Sequence, residues 1–306
     1  MQNKNIFAWL MVAMLFSGPA FGQQKDTTLK VLIVIAHPDD ESGFAGTIYK
    51  ITHDLKGEAD IALITNGEGG YKYSTLAEAV YGVELTDEKI GRKYLPTIRK
   101  QELMNAGKIL GITKYFMLDQ LDNKYTTNEK DPLDTTWDVE FVKRRLNQIM
   151  TKTHYDFVLT LLPVPGTHGG HKAATICALE TIKNLNPADR PIILGGSMSS
   201  KTDTAKTEFS ELKGYPVTKI KPNAPQFTFD RTVKFGFKNM LTYKIIANWE
   251  IAEHKSQGAM QLGMNFGDFE NYWYYDINDA DGIKKTQALF EKLKVINYKP
   301  KTYKLY

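Results

Sequence analysis

Residues 36–41 spell AHPDDE, an imidazole and a proline followed by three consecutive carboxylates, directly after an apolar run. His37 and Asp40 are the residue types of an imidazole-and-oxygen ligand pair for zinc or another divalent ion. Asp39, between them in sequence, is free to point elsewhere. Acidic residues also favour helix starts, which accounts for Glu41 and one aspartate but not for a histidine held by Pro38 beside two aspartates. Two ligands leave a metal site incomplete, and GTHGGH at 166–171 offers His168 or His171 as the third. Gly166, Gly169 and Gly170 let the backbone pass close to such a site. His53 and His154 stand alone and read as structural residues.

These groups need a scaffold that brings them together. TLKVLIVIA (28–36) is a continuous, β-branched apolar run, the pattern of a strand buried on both faces. A helix from Gly43 to Leu55 follows, then the strand ADIALIT (59–65) and the turn NGEGG. A loop-rich insertion spans about Tyr71 to Pro96. The next helix runs from Ile98 to Leu110 with Gly111 as its stop, and KYFMLD (114–119) is a third strand. The helix TWDVEFVKRRLNQIMTKT (136–153) leads to the buried strand YDFVLTLLP (155–163), the histidine loop, and the helix KAATICALETIKNL (172–185). Strand, loop and helix recurring in that order give an α/β fold, a Rossmann-like, mostly parallel sheet flanked by helices. From about Pro191 the pattern loosens. YPVTKI, QFTFDRTVKF and YWYYDI read as strands, with helices around Leu241–His254 and Ile283–Leu293, together forming a C-terminal β-containing cap that completes the same domain. Both histidine motifs then lie just past the carboxyl ends of strands, where open α/β sheets bind ligands.

Composition sets the context. Lys4, the apolar run Ile6–Phe16 and the small residues Ala20 and Gly22 in SGPAFGQQ read as a signal peptide over residues 1–22, leaving a mature domain of 23–306 that is secreted or periplasmic. The apolar run is about half the ~20 residues a membrane span needs, so no transmembrane segment is expected in the mature chain. The single cysteine, Cys177, excludes an internal disulfide framework and reads as a buried apolar residue. The 39 basic and 35 acidic residues are scattered, and the net charge of +4 gives no sign of a nucleic-acid partner.

Several separated motifs resemble one family in its own order: AHPDDE at 36–41, TNGEGG at 65–70, RKQELMNAGKILG at 99–111, the histidine pair at 168 and 171, and AEHKSQ at 252–257. From about Leu32 to Gln257 the chain is similar to the PIG-L or LmbE-like deacetylases, zinc-dependent de-N-acetylases of N-acetylglucosamine-containing conjugates. The resemblance implies that His37, Asp40 and His171 hold Zn2+, that Asp39 is the general base, and that His168 is the second catalytic histidine. A two-histidine, one-carboxylate set also accepts Fe2+ or other divalent ions. Arg99 and Glu102 match the family's arginine and glutamate positions, and Arg99 is expected to face the substrate pocket. Glu68, at the active end of the sheet, is placed with it on the substrate side. Glu41, Glu102, His254, Ser256 and Gln257 are assigned to site support. Family members usually carry proline and aspartate between the two histidines, where this chain has Gly169 and Gly170, which removes a carboxylate suited to orienting a histidine.

Amide hydrolysis needs an activated water, relief of charge on the carbonyl oxygen and a proton for the departing amine. Zinc with an open position supplies water activation near neutral pH. Asp39 would accept the proton, a protonated His168 and the metal would stabilise the oxyanion, and either Asp39 or His168 would protonate the amine. The expected activity is an exported, metal-dependent removal of acetyl from an N-acetylated amino sugar. Its alternatives are a metal hydrolase of another amide or ester and a noncatalytic saccharide-binding protein on the same fold.

Overall fold

A computed structural model describes residues 28–298, so the expected signal peptide at 1–22 lies outside the described residues. Strand β1 (Lys30–Ile35) sends Val31, Ile33 and Ile35 into one hydrophobic layer and Leu32, Val34 and Ala36 into the opposite one. That alternation explains the unbroken apolar run: both faces of the strand are covered. Each such side chain, fully buried, contributes about 1.5–3 kcal/mol. The chain then turns through a short 3-10 segment (Asp40–Phe44) into α1 (Ala45–Tyr49), which runs on as a π turn over Lys50–Asp54. Strand β2 (Glu58–Thr65) pairs parallel to β1.

The stretch expected to be loop-rich is partly helical. Helix α2 spans Ala77–Tyr81, and α3 begins at Glu88, ten residues before the expected start at Ile98, and ends at Leu110. Asp87 caps α3 by accepting a hydrogen bond from the Ile90 N–H at 2.9 Å, and Gly111 closes it in the left-handed region (φ 77°). Pro96 lies inside this helix rather than before it. An interior proline costs about 3 kcal/mol. Burial of Gly91, Leu95, Arg99, Glu102 and Leu103 along one face outweighs that cost.

Strand β3 (Ile112–Gln120), α4 (Val139–Thr153), β4 (Phe157–Leu161), α5 (Gly169–Asn184) and β5 (Ile192–Ser199) complete a parallel five-stranded unit. The fifth parallel strand had no strand assignment in the sequence reading, because its IILGGSMS ending trades β-branched residues for glycines. Those glycines are forced by packing: a Cβ on Gly196 would fall 2.3 Å from the Phe44 ring, and one on Gly195 2.4 Å from the Tyr275 hydroxyl.

The C-terminal stretch completes the domain by extending the same sheet. Strand β9 (Phe269–Tyr274) adds antiparallel to β5, and β6 (Phe227–Asp230) adds antiparallel to β9, giving the order β3-β2-β1-β4-β5-β9-β6. YPVTKI, expected as a strand, is a 3-10 turn at Pro216–Thr218, since proline removes a ladder donor and favours a helical first position. Between β6 and β9 lie the hairpin β7–β8 (Lys234–Phe235 and Leu241–Thr242), α6 (Lys244–Ile251) and α7 (Gly258–Gln261), and α8 (Gly282–Lys294) follows β9. The aromatic run at 271–276 packs inside, with Tyr272, Tyr274 and Tyr275 fully buried. No described helix is long and apolar enough to cross a membrane.

Candidate metal centre

Strand β1 has β2 on one side and β4 on the other, so the connections leave it in opposite directions and open a crevice at its carboxyl end. The residues after β1 and after β4 meet there. The His37 ring lies 4.8 Å from that of His168 and 5.1 Å from that of His171, centroid to centroid. The three imidazoles bring nitrogen atoms within 4.8 Å of one another. Asp40 completes the group, with its Oδ1 2.9 Å from His171 Nε2. Its Oδ2 accepts from the backbone N–H groups of Ala36 (3.0 Å) and His37 (2.9 Å), which fixes the carboxylate before any ion arrives. Burial works to raise the Asp40 carboxyl, but the charges and side-chain contacts of His171 and His37 outweigh it and hold the group well below the usual carboxylate range.

His171 is not in a loop, as the sequence suggested, but in the first turn of α5, whose N-cap is His168. Its Nδ1 lies 3.1 Å from Thr167 Oγ1, which leaves Nε2 facing Asp40. His168 accepts at Nδ1 from the Gly170 N–H at 3.1 Å. The proton of the neutral ring is therefore on Nε2. Burial, followed by the charges of His37 and His171, pushes this ring down to about 4. His168 is thus a neutral N–H donor rather than the protonated imidazolium expected from sequence, because the Gly170 amide occupies the nitrogen that a second proton would need.

The same contact explains the departure at Gly169 and Gly170. A Cβ on Gly170 would sit 3.0 Å from His168 Nδ1 and 3.1 Å from His37 Nε2. One on Gly169 would sit 2.4 Å from the Asn128 carbonyl. The two glycines let the 126–128 loop and two histidines close on the start of α5, and a backbone amide orients His168 in place of a carboxylate.

Asp39 is buried and adopts φ 116°, ψ −19°, a conformation that non-glycine residues rarely hold. Such backbone costs about 1–3 kcal/mol and persists only where neighbours over-determine it. Here the Asp39 N–H donates to Glu41 Oε2 at 2.9 Å, and Oδ2 accepts from Arg99 Nη2 at 3.0 Å. Burial pushes the Asp39 carboxyl up to about 6, against the pull of Arg99. Arg99 does not reach into the pocket as expected. Its Nη1 donates to the Gly67 carbonyl and its Nη2 also to that of Pro38, so the guanidinium ties the turn after β2 to the base.

Glu68, expected on the substrate side, instead accepts through Oε1 from the Asp122 N–H at 3.2 Å. Glu102 accepts from the Ser256 N–H (2.8 Å), Ser256 Oγ (2.5 Å) and the Tyr81 hydroxyl (2.7 Å), clamping the 252–257 segment to α3. Gln257 donates to the Ser256 carbonyl, which also receives the Ser74 hydroxyl. His254 Nε2 lies 2.7 Å from Glu41 Oε1 and 3.2 Å from Glu250 Oε1, all three side chains being fully buried. The support assigned to Glu41, Glu102, His254, Ser256 and Gln257 is thus a continuous buried network beneath Asp39.

Two residues with no place in the sequence reading join the site. Asp122, in the segment after β3, puts Oδ1 3.8 Å from His37 Nε2 and accepts at Oδ2 from the Gly69 N–H. Its position past a strand end on the same edge of the sheet was the available signal. Tyr125 is largely exposed and leans its ring on His168 at 5.1 Å. Beyond the histidines opens a cleft of about 160 Å3, lined by His37, Asp122, His168, Gly170, Leu121 and Trp137 among others. Around His37 the carboxylates of Asp122, Asp40 and Asp39 outweigh burial and draw its pKa up to about 9. Two imidazoles, a pre-oriented carboxylate and surplus negative charge suit a divalent cation.

Comparison with known proteins concerns the family and the fold. Residues 32–182 match the PIG-L family, described as GlcNAc-PI de-N-acetylase. Over 163 residues the chain is 28% identical to a probable N-acetyl-alpha-D-glucosaminyl L-malate deacetylase 2 of Bacillus cereus, covering 53% of this chain and 65% of that protein. The match thus spans less than two thirds of that relative. Among solved structures, a deacetylase from the teicoplanin biosynthesis pathway superposes with a TM-score of 0.50 at 14% identity, over 82% of this chain and 99% of that one. GalB, the 4-carboxy-2-hydroxymuconate hydratase of Pseudomonas putida KT2440, also gives 0.50 at 14% identity, over 83% and 98%. The last two share the fold with this chain, and their different activities show that the fold alone does not choose the reaction.

Proposed function

We propose, for a chain that belongs to the PIG-L family, that it is an exported, metal-dependent hydrolase removing the acetyl group from an N-acetylglucosamine-containing glycan or glycoside. The observation that carries this reading is Asp39: a buried carboxylate in strained backbone, beside the ligand-type residues Asp40 and His37, with a pKa near neutrality. A binding protein gains nothing from holding such a group. His37, Asp40 and His171 would hold the ion, with zinc the first choice and Fe2+ the second. When bound, the ion supplies an activated water near neutral pH and polarises the amide carbonyl.

The chain's own groups do the rest. Arg99 holds Asp39 Oδ2, so Oδ1 is the oxygen presented for the proton of the attacking water. The His168 Nε2–H donates to the developing oxyanion, a contribution typically of about 2.7–4 kcal/mol. Since His168 is neutral, Asp39 is the group that carries the proton on to the departing amine. Asp122 faces the cleft as an acceptor for a sugar hydroxyl.

Acetate release from a panel of N-acetylglucosamine glycans and small glycosides, with zinc loaded, tests the proposal. Asp39→Asn should abolish release while the metal content stays at one per chain. Metal-replete protein that releases no acetate from any panel member would move the reading to another acyl substrate or to saccharide binding.

A further inference from the structure

Seven of the exposed large apolar side chains fall within one stretch of the chain. Phe237, Met240 and Leu241 form the tip and far side of the β7–β8 hairpin, Trp249 stands out of α6, and Leu262, Met264 and Phe266 follow α7. Leu262 is 89% exposed and Phe237 75%, so neither is covered by a described part of the chain. The segments are tied into one surface. The Asn265 N–H donates to Asn248 Oδ1 (2.9 Å) and Asn248 Nδ2 donates to Asn265 Oδ1 (2.8 Å), which sets the 262–266 loop against α6 at the residue before Trp249. The Lys244 N–H at the start of α6 donates to the Arg231 carbonyl, and Lys244 Nζ reaches Asp268, which joins the hairpin's base to the same loop.

The fully exposed charges on this surface are basic. The exposed residues between 234 and 266 include Lys234, Lys238 and Lys255 and no acidic residue. Lys255 is paired with the half-buried Glu253, while Lys238 lies over the Phe237 ring at 5.3 Å. Both segments leave the sheet at the end that holds the metal centre: β6 ends at Asp230, opposite Phe269, and Phe269 pairs with Ser199 at the carboxyl end of β5.

We propose that this surface docks the protein on an anionic lipid bilayer, the apolar side chains entering the interface and the lysines meeting lipid phosphates. Apolar side chains projecting singly from a hairpin tip and a loop, with Lys234 and Lys238, unpaired among the described residues, on the same hairpin, are the pattern of interfacial membrane binding. A two-fold contact with a second copy would set this lysine-bearing patch against the same patch, bringing like charges together across the contact. Docking this way turns the catalytic end of the sheet toward the membrane. The docking itself does not depend on the reaction catalysed.

Trp249 is the reporter. The difference in fluorescence between the full chain and its Trp249→Phe variant isolates this residue, and any contribution of the N-terminal residues is common to both. Vesicles of brominated phosphatidylglycerol should quench and blue-shift Trp249, whereas pure phosphatidylcholine vesicles should do so far less, and raised salt should reverse the binding. Phe237→Ser combined with Met240→Ser should weaken vesicle affinity about tenfold or more. Acetate release from a soluble substrate should not change, since neither residue belongs to the site. An unquenched Trp249, or equal quenching on neutral vesicles, overturns the proposal. So does a dimer in sedimentation equilibrium that the double variant dissolves, which would assign the surface to a second copy.

Discussion

Replacing Glu41 by glutamine isolates the network beneath the base. The substitution keeps the shape of the side chain and removes its charge. One carboxylate oxygen now accepts from the Asp39 N–H at 2.9 Å and the other faces His254 Nε2 at 2.7 Å, with every atom buried. A glutamine has one oxygen for these two places, so its NH2 must face either the Asp39 amide or the His254 nitrogen. A buried donor left unmatched costs about 1–3 kcal/mol. If the amide is the one lost, the strain of about 1–3 kcal/mol at φ 116° is no longer held, and Asp39 relaxes away from the crevice. We expect Glu41→Gln to lower stability by about 2–4 kcal/mol, overlapping the lower part of the roughly 3–5 kcal/mol lost on breaking a buried charged pair. Catalytic turnover should fall about 100-fold, as for a roughly 1 Å misplacement of a reacting group, with the metal retained. Denaturant unfolding, acetate release and metal content measured on one preparation decide it. Stability within about 0.5 kcal/mol of wild type, or full turnover with a destabilised fold, would refute the claim that Glu41 holds Asp39 in place.

Other expectations follow from the same contacts. Gly170→Ala places a Cβ 3.0 Å from His168 Nδ1 and 3.1 Å from His37 Nε2, so both rings must give way; metal affinity and turnover should both drop, by about tenfold or more, which metal titration and acetate release would record. Chelation should remove activity, and zinc should restore it; activity that persists in demonstrably metal-free protein would end the metal-dependent reading. In the buried cluster, the Glu250 carboxyl is pushed up to about 8 by burial and by Glu41, and His254 is held well above its usual range by the two glutamates, which outweigh burial. Both groups bind more protons folded than unfolded. Their contribution is complete at low pH and declines as pH rises, for Glu250 from near 4.5 through about 8 and for His254 from 6.5 upward. Thermal unfolding from pH 5 to 9 should show that decline, and Glu250→Gln should flatten it; an unchanged slope would remove Glu250 from the cluster's titration.

Local order in the sequence determined which residue types stand at the ends of which strands. The apolar runs of β1, β2 and β4 are legible because burial on both faces demands uninterrupted hydrophobic residues, and AHPDDE and GTHGGH are legible because charge at a strand end has few structural uses. What stayed hidden depends on contacts between distant segments. The early start of α3 required knowing that its Leu95 and Arg99 face would be buried, and β5 needed its glycines for Phe44 and Tyr275, so both fell below their local propensities. Asp122, Tyr125 and Glu250 carry no motif and join the site only when the fold brings the segment after β3, across β2, and α6 to the carboxyl end of β1. The tautomer of His168 was likewise beyond the sequence, since a backbone amide two residues on occupies its Nδ1 only in the folded turn. Sequence chose the chemical groups, and tertiary structure chose which atom of each is free to react, because hydrogen bonds from other parts of the chain claim the rest.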